Sequence, residues 1–410
     1  MKKTLFLIFS FLSCLNTAAQ TTPQEIIDCV EKAGGNYYPY PTPSGKATPA
    51  PEGFEPFYIS HYGRHGARFM SEDEDIKRVI AFLKGKTLTE MGKNTLAKLE
   101  RFEDVMRGKK GELTPLGYQQ LTEIATRMYA NYPAVFEGEK KVEARSTYVP
   151  RSIISMATSC LTLKGLNNQL DIRTMVRNAD MHVLNKDRVK STNRPAAEGQ
   201  WYDEYLKFCR TKRTNGKRLI STLTTGDTTE GEQEEFCHAL FNVACAVQDM
   251  PDLDFTLFNL FTAEEIWDYW QAQNAFWYGF CGVYGTPNIR AKEFGEELWE
   301  DIVERADAAI AGNKCCLDLR YGHDTGLLPF LVMMNINNVM SKVKKLDEFH
   351  TTFADFKVIP MAANIQFVFY RNSANKIIVK VLVNEEEATL PIKAQSGPYY
   401  DWEEVKKISF

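Results

Sequence analysis

Strand-forming segments lie at both ends of this chain, and a long helix-forming stretch separates them. The first β-prone run covers residues 57–60, and residues 141–144 follow as a second short strand. The pattern returns near the C-terminus, where the predicted strands cover 317–321, 365–370 and 377–382. Because helix-forming segments occur between these strands, we predict an α/β fold with a central, mostly parallel sheet flanked by helices.

The middle of the chain has a different composition. Residues 166–312 contain few alternating β-branched segments and many helix-forming residues, and Phe255 to Tyr284 carries aromatic side chains at irregular helical spacing. Core packing explains such aromatic residues better than a cofactor-binding cluster does. We therefore predict a mainly helical cap domain over 166–312, inserted into an α/β domain that is built from 20–165 and 313–410.

The N-terminal residues have the pattern of a targeting segment. Two lysines precede an apolar run from Thr4 to Leu12, and small residues follow before Gln20. This order is typical of a secretory signal peptide, so we predict that residues 1–19 are removed and that the protein is exported, either periplasmic or secreted. A lipoprotein lipidated at Cys14 is the minor alternative. No later apolar stretch is long enough to predict a transmembrane helix.

The chain has 9 cysteines, and eight remain after Cys14 leaves with the predicted signal peptide. An even number in an exported protein permits up to four disulfides, whose connectivity the sequence leaves open. Cys237 and Cys245 are a candidate local pair. Buried free thiols are the alternative, and the sequence has no Cys-x-x-Cys pair of the kind that binds zinc.

The overall charge argues against some classes of partner. The chain has 49 lysines and arginines and 53 aspartates and glutamates, which gives a formal net charge of −4. An acidic balance argues against a protein that binds nucleic acid or an anionic membrane surface. A small anionic substrate must therefore be held by local positive charge, and the positions of individual basic residues become informative.

Two arginines flank a histidine directly after the first predicted strand. The segment is His61-Tyr62-Gly63-Arg64-His65-Gly66-Ala67-Arg68-Phe69. Guanidinium groups bind phosphate oxygens bidentately, and glycine allows the backbone to approach an anion closely. Imidazole is a competent nucleophile at phosphorus, and positive charge stabilises a phosphoryl group in transfer. The segment therefore favours phosphoryl transfer over acyl or hydride transfer.

Other interpretations of this segment fit it less well. The arginines could make surface ion pairs around a packed His65 without any function. His61 and His65 have the His-x-x-x-His spacing of helical metal sites, but the adjacent arginines repel a divalent cation and the glycines disfavour a helix. No Gly-Lys-Ser/Thr follows, which argues against a P-loop. We predict no metal and no cofactor.

Four segments together resemble the signature of the histidine acid phosphatase family. They occur in the family's order and reach both ends of the chain: Arg64-His65-Gly66-Ala67-Arg68, Gly111-Glu112-Leu113-Thr114-Pro115-Leu116-Gly117, Arg145-Ser146-Thr147 with Arg151 after it, and Gly322-His323-Asp324-Thr325. The resemblance implies a phosphomonoesterase that works through a phosphohistidine intermediate.

The resemblance also implies roles for individual residues. His65 is the expected nucleophile. Four side chains are expected to bind phosphate oxygens: Arg64, Arg68, Arg151 and His323. Asp324 would protonate the leaving alcohol and then help to activate water, and its alternative role is to cap the helix that follows, because aspartate is a favoured N-cap residue. Arg145 is a weaker candidate for the phosphate pocket.

Three segments resemble the multiple inositol polyphosphate phosphatase branch of this family. They are the histidine segment itself, the stretch from Phe261 to Trp270, and Tyr399-Tyr400-Asp401-Trp402. That branch typically has His-Ala-Glu at the acid site, whereas the His323-Asp324 pair here is similar to general acid phosphatases and bacterial periplasmic phytases. Inositol polyphosphates are the expected substrates. The alternative is a broad-specificity acid phosphatase, or a phosphotransferase, acting on sugar phosphates and other small phosphomonoesters.

A substrate with several phosphates needs further basic groups around the pocket. The candidates in the predicted cap are Lys186, Arg188, Lys190 and Arg194, and a solvated charged surface is their alternative role. A catalytically inactive phosphate-binding protein is a further alternative, against which the presence of both His65 and Asp324 argues. The expected partner is thus a small anionic phosphorylated substrate, and oligomeric state stays open.

Overall fold

The structure is a computed structural model that describes residues 20–43, 47–185, 200–213, 216–280, 289–339, 343 and 345–408. Its strands are β1 (Glu55–Arg64), β2 (Thr87–Leu88), β3 (Lys141–Ser146), β4 (Asp171–Met175), β5 (Thr224–Thr225), β6 (Cys315–Gly322), β7 (Asn364–Arg371), β8 (Ile377–Val383), β9 (Glu386–Glu387) and β10 (Tyr399–Asp401).

The α-helices are numbered in chain order like the strands. They are α1 (Pro23–Asp28), α2 (Glu74–Lys84), α3 (Glu90–Met106), α4 (Pro115–Asn131), α5 (Pro150–Leu166), α6 (Met181–Leu184), α7 (Gln200–Lys212), α8 (Gly216–Leu223), α9 (Glu230–Val247), α10 (Ala263–Phe280), α11 (Ile289–Ile310), α12 (Asp324–Met333), α13 (Asp355–Val358) and α14 (Trp402–Val405). Short 3-10 helices cover Val30–Tyr37, Pro133–Phe136, Asn178–Asp180, Pro251–Leu253, Phe258–Leu260, Ile336–Asn338 and Leu346–Thr351.

An eight-stranded mixed sheet forms the centre of the molecule. Its order is β10-β8-β7-β1-β6-β3-β4, and β9 pairs with β8 beside this path. Strands β1, β6, β3 and β4 run parallel to one another, whereas β7, β8 and β10 are paired antiparallel. The predicted α/β fold is therefore confirmed. The parallel strands form the half of the sheet that bears the sequence motifs.

Helices cover both faces of this sheet. On one face, Trp299 of α11 and Phe330 of α12 pack against Phe367 of β7. On the other face, Leu121 of α4 and Met156 of α5 belong to the apolar cluster that includes the inner residues of β3 and β6. All eight residues of β6 are buried, as expected for a parallel strand with a layer of helices on each side.

The predicted cap segment is mainly helical, and its central helices α8, α9 and α10 share an apolar cluster with α2 and α3. The sheet nevertheless reaches into this segment, because β4 pairs with β3 and α11 packs on the sheet face. The small antiparallel pair of β2 with β5 adds a further link to the region before the segment. The division at 166 and 312 into two domains stays a prediction.

The disulfide prediction is wrong for the cysteines that the structure describes, which are all free thiols: Cys29, Cys160, Cys209, Cys237, Cys245, Cys315 and Cys316. The candidate pair, Cys237 and Cys245, lies on one helix, α9. Eight residues of helix span about 12 Å, whereas a disulfide joins Cα atoms that are roughly 4.4–6.8 Å apart. The alternative of free thiols therefore applies to this pair, and both are buried.

Three further sequence predictions fall on residues beyond the described ranges. These are the signal peptide at 1–19 with Cys14, the basic residues between 186 and 194, and Cys281 as a disulfide partner. Among the helices of the described ranges, each is too short or too polar to cross a membrane.

Candidate active site

The carboxyl ends of three neighbouring parallel strands meet at one edge of the sheet. Strand β1 ends at Arg64, β3 ends at Ser146, and β6 ends at Gly322. The strand register places Arg64 opposite Gly322, and it places Ser146 opposite Tyr321. In α/β sheets, ligands bind outside the carboxyl ends of the strands. The sheet therefore gathers three distant sequence motifs into one place where ligands bind in such folds.

His65 directly follows β1 and is buried as a neutral imidazole. Its Nδ1 lies 2.9 Å from the carbonyl oxygen of Gly66. Because a carbonyl oxygen only accepts hydrogen bonds, Nδ1 carries the proton and the lone pair lies on Nε2. Burial lowers the pKa of this imidazole well below its ordinary value, and the charges of Arg64, Arg151 and Arg68 lower it further. A neutral ring with a lone pair on Nε2 has the form that a nucleophile requires.

Arg64 is completely buried at the end of β1. Its Nη1 donates hydrogen bonds to the carbonyl oxygens of Asn36, Ile359 and Pro360, which fixes the direction of the guanidinium group. Its Nη2 lies 2.9 Å from Oδ2 of Asp324. The positive charge of Arg64 is thus held in place by backbone carbonyls on one side and a carboxylate on the other.

Arg68 is held in a similar way, four residues after Arg64. Its Nη1 donates to the carbonyl oxygen of Phe69 at 3.1 Å, and its Nη2 donates to the hydroxyl of Tyr37 at 3.1 Å. Within the part of the chain that the structure describes, the Nε–H groups of Arg64 and Arg68 are buried without a hydrogen-bond partner. Buried donors without a partner are costly, so an anion that accepts from them would be bound favourably.

His323 follows β6 and lies beside His65. The two imidazole rings have their centroids 5.6 Å apart and are inclined at 66°. Nε2 of His323 lies 3.2 Å from Oγ1 of Thr147, the residue that follows β3. The backbone N–H of His323 donates to the hydroxyl of Tyr62 at 3.3 Å. Contacts from two other strand ends therefore fix His323 at the site.

Asp324 is the first residue of α12, and its two carboxylate oxygens have different partners. Oδ1 accepts a hydrogen bond from the backbone N–H of Thr325 at 2.9 Å, but the N-cap residue of α12 is His323, so the alternative role of Asp324 as the helix cap is wrong. Oδ2 accepts from Nδ2 of Asn36 at 3.0 Å and faces Arg64. Burial raises the pKa of this carboxyl, but Arg64, Asn36 and His323 outweigh burial and hold the pKa below its ordinary value.

Two arginines of the third motif have different surroundings. Arg151 lies in the first turn of α5, and its guanidinium nitrogen Nη1 lies 3.5 Å from where a Cβ atom at Gly111 would be. Its charge lowers the pKa of His65. Arg145 instead donates two hydrogen bonds to the carboxylate of Asp301 on α11. The structure therefore brings Arg151, and not Arg145, together with the other predicted site residues.

The second motif packs directly against the histidine segment. A Cβ atom on Gly66 would lie 2.6 Å from the carbonyl oxygen of Gly117, and one on Gly117 would lie 2.2 Å from that of Ala67. The backbone N–H of Thr114 donates to the same carbonyl of Ala67 at 3.0 Å, and the Thr114 side chain caps α4. The first turn of α4 therefore packs against the backbone directly after His65, and both positions require glycine.

Two residues at the site, Asn36 and Tyr37, were missed by the sequence analysis. The adjacent Gly34 and Gly35 signal a tight turn, and Gly35 has a φ of +56°. That signal could locate a turn, but it could not connect the turn to Asp324, which lies 288 positions later. His61, by contrast, is a packed histidine: its ring lies 5.4 Å from that of Tyr321, and burial lowers its pKa to about 3.

The chain matches one protein family and is similar in structure to known phosphatases. The model of a family described as the histidine phosphatase superfamily (branch 2) matches residues 63–384. A search of curated proteins gives no significant match. Among solved structures, the chain is similar to the multiple inositol polyphosphate phosphatase of Bifidobacterium longum in complex with inositol hexasulfate. The TM-score is 0.75 at 17% identity, over 92% of this chain and 97% of that one.

Two phytases are also similar in structure. The phytase of D. castellii has a TM-score of 0.68 at 17% identity, over 92% of this chain and 84% of that one. The apo form of the Hafnia alvei phytase has a TM-score of 0.52 at 13% identity, over 88% of this chain and 97% of that one. At such low identities the likeness shows a shared fold.

Proposed function

Because this chain belongs to branch 2 of the histidine phosphatase superfamily and is a phosphomonoesterase of that family, we propose that it hydrolyses inositol polyphosphates through a phosphohistidine intermediate on His65. The observation that carries the proposal is the neutral His65 imidazole, whose lone pair lies on Nε2 and whose pKa is lowered by burial and by three guanidinium groups. Neutral imidazole is the nucleophilic form, and guanidinium groups stabilise the charge of a transferring phosphoryl group.

In the first step, the phosphate oxygens of the ester accept hydrogen bonds from Arg64, Arg68 and Arg151. Nε2 of His65 attacks phosphorus, and a P–N bond forms as the P–O bond to the alcohol breaks. The leaving oxygen takes a proton from Asp324, which makes a poor alkoxide leaving group into an alcohol. The products of this step are the free alcohol, a phosphohistidine and an ionised Asp324.

In the second step, a water molecule gives a proton to the Asp324 carboxylate and attacks phosphorus. The P–N bond breaks, inorganic phosphate leaves, and His65 regains its lone pair on Nε2. Asp324 is protonated again, so the site returns to the state in which it can act as an acid. Each turnover therefore converts one phosphate ester and one water into an alcohol and inorganic phosphate, and His65 and Asp324 return to their initial protonation states.

The protonation state of Asp324 depends on whether a substrate is bound. In the unliganded site Arg64 lowers the pKa of Asp324, so the carboxylate is ionised near neutral pH. A phosphate group that binds Arg64 offsets this guanidinium charge and adds negative charge beside Asp324. Both effects raise the pKa of the carboxyl, so the acid gains its proton when the phosphate ester binds.

The substrate class is supported by two observations. The fold resembles that of the Bifidobacterium longum enzyme whose structure was solved with inositol hexasulfate, and it also resembles phytases. The His323-Asp324 pair, which is similar to that of general acid phosphatases, favours a second candidate, a broad-specificity acid phosphatase or phosphotransferase.

The apolar run after two N-terminal lysines supports an exported protein, and we propose a periplasmic or secreted location.

The test measures phosphate release from inositol hexakisphosphate and from p-nitrophenyl phosphate at pH 4 to 7. We expect both to be hydrolysed, and we expect His65→Ala to lower kcat/KM for both by a factor of about 10³ or more. His350→Ala is the matched control, because this histidine lies against Trp267 outside the pocket and should leave the rate unchanged. Rapid acid and alkaline quenching with labelled substrate should show a protein-bound phosphate that is stable only in alkali, as a phosphohistidine is.

The other outcomes separate the alternatives. Release from the aryl phosphate alone would identify a general acid phosphatase and would contradict the inositol phosphate proposal. Phosphoryl transfer to added glycerol in preference to water would identify a phosphotransferase. No release from either substrate, with phosphate still bound, would identify an inactive binding protein.

A further inference from the structure

We propose that the N-terminal segment from Gly34 to Tyr37 positions two groups of the active site: Asn36 positions the acid Asp324, and Tyr37 positions Arg68. The inference rests on the roles proposed above for these two residues. It adds a function for a segment that precedes the histidine motif by about thirty residues and that lies outside the region matched by the family model.

Asn36 contacts both members of the Arg64–Asp324 ion pair. Its side-chain Nδ2 donates to Oδ2 of Asp324 at 3.0 Å, and its backbone carbonyl accepts from Nη1 of Arg64. Asn36 is only 6% exposed. Because Oδ1 of Asp324 already accepts from the N–H of Thr325, the Asn36 amide completes a set of contacts that leaves the carboxylate one orientation. An acid held in one orientation has less conformational freedom to lose in the transition state.

Tyr37 contacts Arg68 in two ways. Its hydroxyl accepts a hydrogen bond from Nη2 of Arg68 at 3.1 Å, and the guanidinium carbon lies 4.9 Å from the centre of the tyrosine ring. A guanidinium group that is stacked on a ring and hydrogen-bonded at one end has a fixed plane. Tyr37 therefore fixes how Arg68 presents its Nε–H, a buried donor without a partner among the described residues.

The segment from Gly34 to Tyr37 is itself held in place by contacts with α10. Nε2 of Gln273 on α10 donates to the carbonyl oxygen of Gly34 at 3.0 Å. Gly35 has a φ of +56°, which favours glycine, and a Cβ atom there would also lie 2.2 Å from the same Nε2 and 2.3 Å from Oδ2 of the buried Asp355. These contacts do not involve the residues at the reaction centre. The position of Asn36 is therefore set independently of Asp324, as a positioning residue requires.

The chemistry of the leaving group separates positioning of the acid from general damage to the site. An inositol hydroxyl is a poor leaving group and needs the proton of Asp324, whereas p-nitrophenolate leaves without protonation. Loss of the Asn36 amide should therefore lower kcat/KM for the inositol ester much more than for the aryl ester. Loss of the Tyr37 hydroxyl weakens phosphate binding and should lower kcat/KM for both esters by a similar factor.

The groups that face Asp324 also determine its response to pH. They are Arg64 and Arg68 from the histidine segment, the adjacent His323, Tyr62 from β1, and Asn36. Asn36, like the backbone N–H of Thr325, is an uncharged donor that favours the ionised carboxylate. Its removal should raise the pKa of Asp324, and the alkaline limb of the kcat/KM profile for the inositol ester should move to higher pH.

The experiment compares Asn36→Ala, Asn36→Asp, Tyr37→Phe and Asp324→Asn on inositol hexakisphosphate and p-nitrophenyl phosphate across pH 4 to 8. Asn36→Ala should lower kcat/KM for inositol hexakisphosphate by about 10-fold or more and for the aryl phosphate by a clearly smaller factor. Asn36→Asp keeps the side-chain shape and places a second carboxylate beside Asp324, so it should move the alkaline limb further. Tyr37→Phe should lower kcat/KM for both by about 5-fold, as for one lost hydrogen bond.

Asn167→Ala is the matched control, because this half-buried asparagine donates to the carbonyl of Phe136 beside α5 and should change neither substrate ratio nor pH profile. Equal losses on both substrates in both Asn36 variants, or an unchanged pH profile in both, would overturn the inference while Asp324→Asn still distinguishes the substrates. If Asp324→Asn itself lowers both rates alike, the proposed role of Asp324 is wrong, and the role of Asn36 falls with it.

Discussion

At the scale of single residues, the site has its positive charge on arginines and its neutral imidazole on His65. A single backbone carbonyl, that of Gly66, fixes the tautomer of His65, and burial among arginines keeps the ring neutral. The positive charge comes from guanidinium groups, which stay protonated at every working pH. His65, the proposed nucleophile, can thus stay neutral in a positively charged pocket, because the arginines supply the positive charge.

This division predicts the pH dependence of the reaction. The pKa of His65 is lowered, so protonation of the nucleophile should limit the rate only at acidic pH. The pKa of Asp324 is lowered in the free enzyme, and the second pKa of a phosphate monoester is about 6. Productive binding needs one proton shared between Asp324 and the phosphate group of the substrate, and that proton is lost as pH rises. We expect kcat/KM for an alkyl phosphate to fall above pH 6, by up to about tenfold per pH unit.

The measurement is kcat/KM for inositol hexakisphosphate from pH 3 to 9, with preincubation at each pH to separate catalysis from unfolding. An optimum above pH 8 would contradict the assignment of Asp324 as the acid. A profile that is flat from pH 5 to 9 would do the same.

Sequence information was sufficient to name residues that the structure brings together at the site, and insufficient for the residues that hold them. The six predicted site residues lie in short motifs at or soon after the ends of strands, so local pattern and family resemblance could single them out. Asn36 contacts Asp324 over 288 positions, and no local pattern connects the two. A contact of this kind depends on the packing of α10 against the N-terminal segment, which is a property of the folded chain.

At the scale of secondary-structure elements, the central strands could be predicted from the sequence and the edge strand β4 could not. Strands β1, β6 and β7 consist mostly of buried residues and each contains apolar or β-branched side chains, and their predicted positions agree with the structure. Strand β4 lies at the sheet edge, and none of its residues is fully buried. An edge strand has no apolar run to reveal it, so it was predicted as part of the helical segment.

The contact between the first turn of α4 and the histidine segment predicts the effect of one methyl group. Gly117→Ala would place a Cβ atom 2.2 Å from the backbone oxygen of Ala67, and backbone atoms cannot move aside without shifting His65. We expect a loss of about 1–3 kcal/mol in the free energy of unfolding and a fall of about 10-fold or more in kcat/KM. The measurements are urea unfolding and phosphate release.

Gly165→Ala, on α5, is the matched control for this substitution. A Cβ atom at Gly165 would have no atom within 4 Å, so alanine should leave activity unchanged and keep or raise stability, by up to about 1 kcal/mol. If Gly117→Ala were as active and as stable as Gly165→Ala, the close packing of the two motifs would have no role in holding His65.

At the scale of the whole molecule, a buried ion-pair network connects α11 to the sheet. Asp301 of α11 contacts Arg145 of β3 and Arg320 of β6, and it is also bonded to Arg305 on its own helix. Arg145 and Arg320 are 2% and 0% exposed. This network accounts for the arginine of the third motif that does not reach the phosphate pocket. Its role is to hold a helix on the strands that bear the site.

Asp301→Asn should therefore destabilise the fold. The substitution removes the carboxylate that Arg320 contacts and leaves Arg145 only the more distant Asp180, 3.8 Å away, and breaking a buried ion pair costs about 3–5 kcal/mol. The arginines lower the pKa of Asp301 in the folded state, so its contribution is present at neutral pH and is lost as pH falls towards that lowered value. The measurement is the free energy of unfolding in urea at pH 7 and pH 3.

Glu304→Gln, an exposed position on the same helix, is the control for Asp301 and should change stability by no more than about 0.5 kcal/mol. The difference between wild type and Asp301→Asn should be smaller at pH 3 than at pH 7. A difference that is equal at both pH values, or absent at pH 7, would show that the network does not stabilise the fold as described.

The position of β1 in the sheet has a consequence for how the protein is made. This strand pairs with β6 and β7, and Tyr58 of β1 is hydrogen-bonded to Asp318 of β6, 260 positions later. At about 5–20 residues per second, a ribosome needs roughly 13–50 s to add that length of chain. During this time β1 has neither of its neighbours. A newly made chain therefore cannot complete the site around His65 before the last stage of synthesis, and β1 stays without its strand partners until then.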